Sequence, residues 1–267
     1  MSSAPIGVFD SGIGGLTVVA AIMRALPHER VVYVGDTARV PYGPKSPETV
    51  VRYSRQIATW LLEQQVKAIV IACNTATAHA LEILQHECPV PVIGVVQPGA
   101  RAAVQASRTG HIGVIGTAGT INSGAYHRAI AALSTNAVVT SAACPLFVPL
   151  VEEGWIDHPA TRMIAETYLT PMRAAAVDTL VLGCTHYPLL APVIGDVIGH
   201  GVTLVDSAGE TAIALRDVLR ERAIASSDQI DAQSHRFVAT DAPDAFRRVG
   251  QRFIGPALDR IETTVFA

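Results

Sequence analysis

The chain is poor in lysine, cysteine, aromatic residues and charge. Lysine occurs only at Lys45 and Lys67, and neither lies in a context that reads as a pyridoxal-phosphate lysine. Aromatic residues make up 5% and charged residues 16% of the sequence, against roughly 25% charged in ordinary soluble domains. The net charge is −3 and no basic patch is interleaved with aromatics, so no long-range field favours nucleic acid or an anionic membrane. No apolar run reaches the roughly 18 to 20 residues of a membrane span. The opening Met1-Ser2-Ser3-Ala4-Pro5 has neither the charged region nor the apolar region of a secretory signal. The four cysteines, 73, 88, 144 and 184, lack C-x-x-C spacing and the density of a disulfide scaffold. A reduced, cytoplasmic protein is expected. His28, His86 and His158 show no metal spacing, and no His/Cys/carboxylate grouping reads as zinc or iron.

What is present is apolar and regularly ordered. Hydrophobic residues are 49% of the chain, enough for a large core. Strand-like runs span 6–9, 31–34, 68–72, 92–95, 112–115, 138–141, 179–182, 202–205 and 236–240. Between them lie helical patterns over 16–25, 47–65, 76–86, 118–132, 159–175 and 207–222. This alternation predicts an α/β protein with mostly parallel sheet covered on both faces. Ser46 is a natural N-cap before Pro47, and Ser207 with Glu210 reads as a capping box. A polar linker is expected over Gln229 to Arg236.

Two motifs recur at nearly the same offset. Ile6-Gly7-Val8-Phe9-Asp10-Ser11-Gly12 resembles Ile112-Gly113-Val114-Ile115-Gly116-Thr117-Ala118, and Ala72-Cys73-Asn74-Thr75 resembles Gly183-Cys184-Thr185-His186. The repeat predicts two similar α/β domains facing each other across a cleft, related by a pseudo-two-fold axis. The first would comprise residues 1–97 plus 207–267 and the second 98–206. The crossings are expected at Gln97-Pro98-Gly99 and near Val205-Asp206-Ser207. Ligands of open α/β sheets bind beyond the carboxyl ends of the strands. Asp10, Ser11, Cys73, Asn74, Thr117, Cys184, Thr185 and His186 all fall at such ends.

A cysteine can be no more than a small buried hydrophobe, and Cys88 and Cys144 read that way. Cys73 and Cys184 share position and polar sequel, which suggests an opposed acid/base pair. An ordinary thiol pKa near 8.5 is close enough to neutrality to be tuned either way. The start of the following helix is expected to lower it. Asp10 and His186 would each assist one thiol; their alternatives are a helix cap and a satisfied polar contact. Ser11-Gly12-Ile13-Gly14-Gly15-Leu16-Thr17 invites a dinucleotide reading, but Thr17 stands where the last glycine belongs and Asp10 would face the pyrophosphate. A tight turn toward a small carboxylate fits better. In the turn Val40-Pro41-Tyr42-Gly43-Pro44-Lys45, the Tyr42 hydroxyl and the Gly43 N–H are open to a ligand role or to none.

These segments closely resemble the glutamate racemase family. The resemblance rests on Val8 to Gly15, Tyr33 to Thr37 with Pro41-Tyr42-Gly43, Ala72 to Ala76, Pro145 to Glu152, Gly183 to Pro188 and Asp206-Ser207-Ala208, and runs from about residue 5 to 255. It implies a racemase without cofactor or metal in which Cys73 and Cys184 exchange the α-proton of L- and D-glutamate, assisted by Asp10 and His186. Asp10, Ser11, Tyr42, Gly43, Asn74, Thr75, Thr185 and His186 would hold the substrate, with Thr117, Thr120 and Glu152 as further candidates. The implied role is supply of D-glutamate for peptidoglycan, and the implied assembly a homodimer, with no direct nucleic-acid or membrane partner. The alternatives are a racemase for aspartate or a hydantoin, an NAD-dependent oxidoreductase, and a non-catalytic two-lobed amino-acid-binding protein. Water-excluding closure is expected, hinged near residues 95–99 and 205–208.

Overall fold

The computed structural model describes residues 3–227 and 234–266. Along the chain come β1 (Ile6–Asp10), α1 (Leu16–Ala25), β2 (Val31–Gly35), α2 (Pro47–Glu63), β3 (Ala68–Ile71), α3 (Asn74–Glu87), β4 (Val92–Gly94) and α4 (Val96–Ala106). Next are β5 (His111–Gly116), α5 (Ala118–Asn122), α6 (Ala125–Leu133), β6 (Val138–Ala143), α7 (Phe147–Glu152), α8 (Pro159–Ala174) and β7 (Thr179–Gly183). A 3₁₀ turn (Tyr187–Leu190) leads into α9 (Ala191–Ile198), β8 (Thr203–Val205), α10 (Ala208–Glu221), β9 (Arg236–Ala239), α11 (Pro243–Ile254) and β10 (Ile261–Thr263).

The strands form two sheets, ordered β10-β9-β2-β1-β3-β4 and β6-β5-β7-β8. Every strand pairing among the described residues is parallel. The order β2-β1-β3-β4 is repeated as β6-β5-β7-β8, and so is the register. Ile6 faces Ala68 and Phe9 faces Ile71 in the first sheet; Ile112 faces Thr179 and Ile115 faces Leu182 in the second. The recurring motifs of the sequence therefore occupy equivalent strands, β1 with β5 and β3 with β7.

Both faces of each sheet are covered. Ile6, Val8, Tyr33 and Val70 pack with α1, α10 and α11, while Phe9, Val34, Ile69 and Ile71 pack with α2 and α3. In the second sheet Leu180 and Leu182 meet α7, α8 and α9, and Ile112, Val114 and Val181 meet α4 and α6. Each fully buried aliphatic side chain on these faces contributes roughly 1.5–3 kcal/mol by transfer from water. No helix among the described residues is long and apolar enough to cross a membrane.

Several local expectations are met and others corrected. Ser46 caps α2, its Oγ accepting from the Thr49 N–H at 3.3 Å. Ser207 makes no side-chain cap on α10; Asp206 Oδ1 instead accepts from the Ala208 N–H at 2.8 Å. The helix expected over 118–132 is broken at Gly124, whose φ of +66° ends α5 and starts α6. Gln97-Pro98-Gly99, read as a crossing segment, lies in the first turn of α4. The sequence pattern does not predict helices α4, α7, α9 and α11 or strand β10. Of the polar linker expected over Gln229 to Arg236, residues 229–233 lie outside the described residues and Arg236 opens β9.

Candidate active site

The sheet order sends β1 and β3 side by side toward the second sheet, so their carboxyl ends deliver Asp10 and Cys73 together. Cys73 is the N-cap of α3, and its Sγ accepts from the Ala76 N–H at 3.4 Å and lies 3.7 Å from Ser11 Oγ. Cys184 comes directly after β7 but caps no α-helix. A turn at Thr185-His186 and the 3₁₀ turn come next, so the two thiol segments share strand placement and differ in the element on their carboxyl side.

Contacts from the two sheets' loops interlock around these sulfurs. Thr75 Oγ1 is 2.7 Å from Thr117 Oγ1 and 3.2 Å from Thr120 Oγ1, which are themselves 3.0 Å apart. The Tyr126 hydroxyl donates to Asn74 Oδ1 at 2.8 Å, and the Gly119 N–H donates to the Gly43 carbonyl at 2.8 Å. Thr17 Oγ1 donates to the Thr185 carbonyl at 3.3 Å. Gly14 lies so close to the second sheet's loop that a methyl group there would come under 3.0 Å from Thr185 Oγ1 and from the His186 ring. The glycine-rich turn thus serves close approach between loops, a use the sequence reading, which had it turned toward a small carboxylate, did not include.

Burial dominates the electrostatics. Cys73 and Cys184 are 6% exposed, Asp10 1% and His186 4%, so the site is closed in this state. Burial, with the Asp10 charge adding to it, pushes the Cys73 thiol up to about 12. The expected lowering by the helix N-terminus is present, through the Ala76 N–H, but is outweighed. The charge of Cys184 is also felt at Cys73, which puts both sulfurs in one electrostatic environment. Burial raises Asp10 above the usual carboxylate range against the opposing pull of His186 and the Gly12 N–H. For His186, burial opposes the charged form, yet hydrogen bonds to Cys184 and Glu152 win and raise it to about 10. Its Nε2 is 2.9 Å from Glu152 Oε1 and its Nδ1 is 3.9 Å from Cys184 Sγ. The His186 imidazole therefore lies between the Glu152 carboxyl group and the Cys184 sulfur, placed to pass a proton along that line.

Two buried polar atoms here lack any hydrogen-bond partner in the protein, Asp10 Oδ1 and Asn74 Nδ2. One is an acceptor and the other a donor, the complement of an amino acid's ammonium and carboxylate. The other Asp10 oxygen takes the Gly12 N–H at 3.0 Å. Tyr42 departs from expectation: its hydroxyl donates to Asp36 Oδ2, and Asp36 is held in turn by Arg39 and Thr240. That hydroxyl is therefore engaged inside the protein. Of the remaining candidates, Ser11, Gly43, Asn74, Thr75, Thr117, Thr120, Glu152, Thr185 and His186 are tied to the site by the contacts above. Cys144 is buried in the second sheet's core and Cys88 ends α3, as expected of structural cysteines. Lys67 precedes β3, at the end opposite Cys73, and pairs with Glu29 at 2.6 Å. Sequence reasoning missed Tyr126, whose hydroxyl holds Asn74. No group of three or more His, Cys, Asp or Glu arranged to hold a metal occurs among the described residues.

Two repeated parallel-sheet units with strand-end thiols buried at one shared site define an isomerase, of the racemase class. More particularly, the chain belongs to the Asp/Glu/Hydantoin racemase family, whose model matches residues 6–215. The glutamate racemase of Geobacter metallireducens is 54% identical over 253 residues, covering 95% of this chain and 93% of the relative. Among solved structures, a glutamate racemase isoform from Bacillus anthracis superposes with a TM-score of 0.94 at 41% identity, covering 100% of this chain and 98% of that one. The Francisella tularensis glutamate racemase in complex with D-glutamate gives a TM-score of 0.92 at 38% identity, covering 100% and 99%.

Proposed function

We propose that the chain interconverts L- and D-glutamate by a two-thiol proton transfer without a cofactor, supplying D-glutamate for peptidoglycan as a cytoplasmic homodimer. The observation that carries this reading is the pair of buried sulfurs, Cys73 and Cys184, at equivalent strand ends of a duplicated fold, each with its own charged neighbour. One thiolate takes the α-proton from Cα, and the opposite thiol then gives its proton to the other face. The carbanion's negative charge exists only between those two events. Asn74 Nδ2 would donate to the substrate carboxylate and Asp10 Oδ1 would accept from its ammonium, satisfying two groups that are costly to leave unpaired. The similarity to glutamate racemases, including one bound to D-glutamate, supports glutamate over aspartate as substrate.

Burial of all four central groups also bears on access. Substrate entry requires the two units, residues 1–97 with 207–267 and residues 98–206, to part. The strand-to-helix junctions at Val95-Val96 and Val205-Ser207 are suited to hinge that motion. Closure then removes water and strengthens every charge interaction at the site. The test is racemisation of purified protein with L-glutamate and no added cofactor, followed by circular dichroism, with L-aspartate in parallel. Turnover of glutamate that is abolished in both Cys73→Ser and Cys184→Ser supports the reading. Activity that survives either substitution, or that needs pyridoxal phosphate, refutes it. Sedimentation velocity on the same sample tests the homodimer.

A further inference from the structure

Helix α11 belongs to the first sheet's side of the fold, yet its last residues reach the second sheet's acid/base group. Gly250 packs against Leu16 and Ile13, so closely that a methyl there would come under 3.0 Å from Leu16 Cδ1. Two residues further on, Arg252 Nη1 donates to the carbonyls of Val151 at 3.2 Å and Glu152 at 2.8 Å. These are the last carbonyls of α7, the helix that ends in Glu152. Gly154, with φ of +79°, leaves room for that guanidinium; a methyl there would lie 2.8 Å from Arg252 Nη1. Phe253 comes next and sets its ring edge-to-face against the His186 imidazole, centroids 5.8 Å apart at 88°. It packs against the cores of both sheets.

Phe253 has a second boundary. Its other side lines an open groove of about 720 Å³, with Thr17, Arg24, Pro188, Asp206 and Glu210 among the walls. His186 is almost fully buried and is absent from that lining. Phe253 thus borders both the groove and the imidazole. Gly14 hems the imidazole from another side.

We propose that Arg252 and Phe253 are positioning residues for one of the two proton transfers, the one made by Cys184. Phe253 fixes and seals the His186 ring, and Arg252 anchors the end of α7 so that Glu152 meets His186 Nε2. The inference rests on the reading of Cys184 as one base of a two-base pair. Among the described contacts neither Arg252 nor Phe253 meets Cys73, whose surroundings are Ser11, Ala76, Asp10, Tyr33 and Tyr42. Disturbing Arg252 or Phe253 therefore slows transfer on one face only, whereas Phe246 of the same helix packs on Tyr33 near Cys73.

Isotope effects separate this from general loosening. In wild type and variants, kcat, KM and the deuterium effect on kcat/KM are measured with α-deuterated L-glutamate and, separately, α-deuterated D-glutamate. In Phe253→Ala, kcat is expected to fall about tenfold to a hundredfold, with KM changed by no more than about twofold. Slowing the Cys184 step makes deuteron removal by Cys184 more limiting, so the isotope effect rises for the enantiomer it deprotonates. For the other enantiomer Cys184 acts after the isotopic step, so the effect falls. Phe253→Leu retains the apolar seal and is expected to recover most of kcat. Arg252→Ala shifts the two effects in the same opposed senses, and Arg252→Lys restores them. Isotope effects that move together, or a change confined to KM, overturn the inference; if Phe253→Ala does not fold, the Phe253→Leu and Arg252 variants decide by the same criterion. Wild-type protein that fails to racemise glutamate refutes instead the underlying reading.

Discussion

Adding one methyl group at Gly14 tests the interlocked loops directly. Gly14 does not have a left-handed φ, so alanine brings no backbone strain, and the whole effect comes from what the new Cβ meets. It meets Thr185 Oγ1 and the Nδ1 and Cε1 of His186, all under 3.0 Å, whereas ordinary contact begins at 3.4 Å. None of these can swing away cheaply: His186 is held by Glu152 on one nitrogen and packed against Phe253, and the Thr185 carbonyl takes the Thr17 hydroxyl. The two loops must therefore separate by about 1 Å, a displacement that costs on the order of a hundredfold in rate when reacting groups are misaligned. The same crowding costs about 1–3 kcal/mol of stability, as overpacking does elsewhere, or a few degrees in Tm for a protein of this size. Racemisation followed by circular dichroism, with thermal unfolding of the same sample, gives both numbers. Gly209→Ala is the control, because nothing lies within 4 Å of its added methyl; it is expected to hold activity and add up to about 1 kcal/mol of stability. A Gly14→Ala enzyme with kcat/KM within about threefold of wild type refutes the argument that this contact sets the catalytic geometry.

The raised His186 makes stability depend on pH in a definite sense. Its pKa is about 10 in the folded chain against 6.5 ordinarily, so its contribution is fully present below pH 6.5 and is lost as pH rises through 10. Denaturant unfolding across that range should show the decline, and His186→Asn should flatten it. Asp10 is raised by burial, so its ionised form is disfavoured in the fold; Asp10→Asn is expected to raise Tm at neutral pH while lowering kcat, and a lower Tm would contradict the desolvation argument. Thr120→Val leaves Thr75 and Thr117 short of a hydroxyl partner in a buried triangle and should cost about 1–3 kcal/mol by chemical denaturation.

Much of the fold was legible because parallel strands buried on both faces write themselves as uninterrupted apolar runs. Runs such as Ala68-Ile69-Val70-Ile71 and Thr179-Leu180-Val181-Leu182 leave little choice. The duplicated motifs also conveyed that the fold repeats, while the strand order and register emerge only from the assembled sheets. What stayed hidden was short or depended on tertiary contact. Helix α4 begins with Val96-Gln97-Pro98-Gly99, where proline and glycine read as a turn; the proline is tolerated in a first helical turn. Strand β10 has three residues and exists by pairing with β9. At the site, Asp10, Cys73, Cys184 and His186 were visible as chemistry placed at strand ends. The direction of the Cys73 shift was not, because helix capping is local while burial is a property of the assembled fold. Arg252 and Phe253 were invisible for the same reason, since nothing in Gln251-Arg252-Phe253-Ile254 announces which imidazole it will meet.

The most direct test of opposed thiols is early turnover of L-glutamate in D₂O, with each enantiomer separated and weighed by mass spectrometry. Two bases predict that the D-glutamate formed carries one solvent deuteron at Cα while the remaining L-glutamate carries none. Deuterium appearing equally in both enantiomers, or D-glutamate that keeps the original proton, would contradict it.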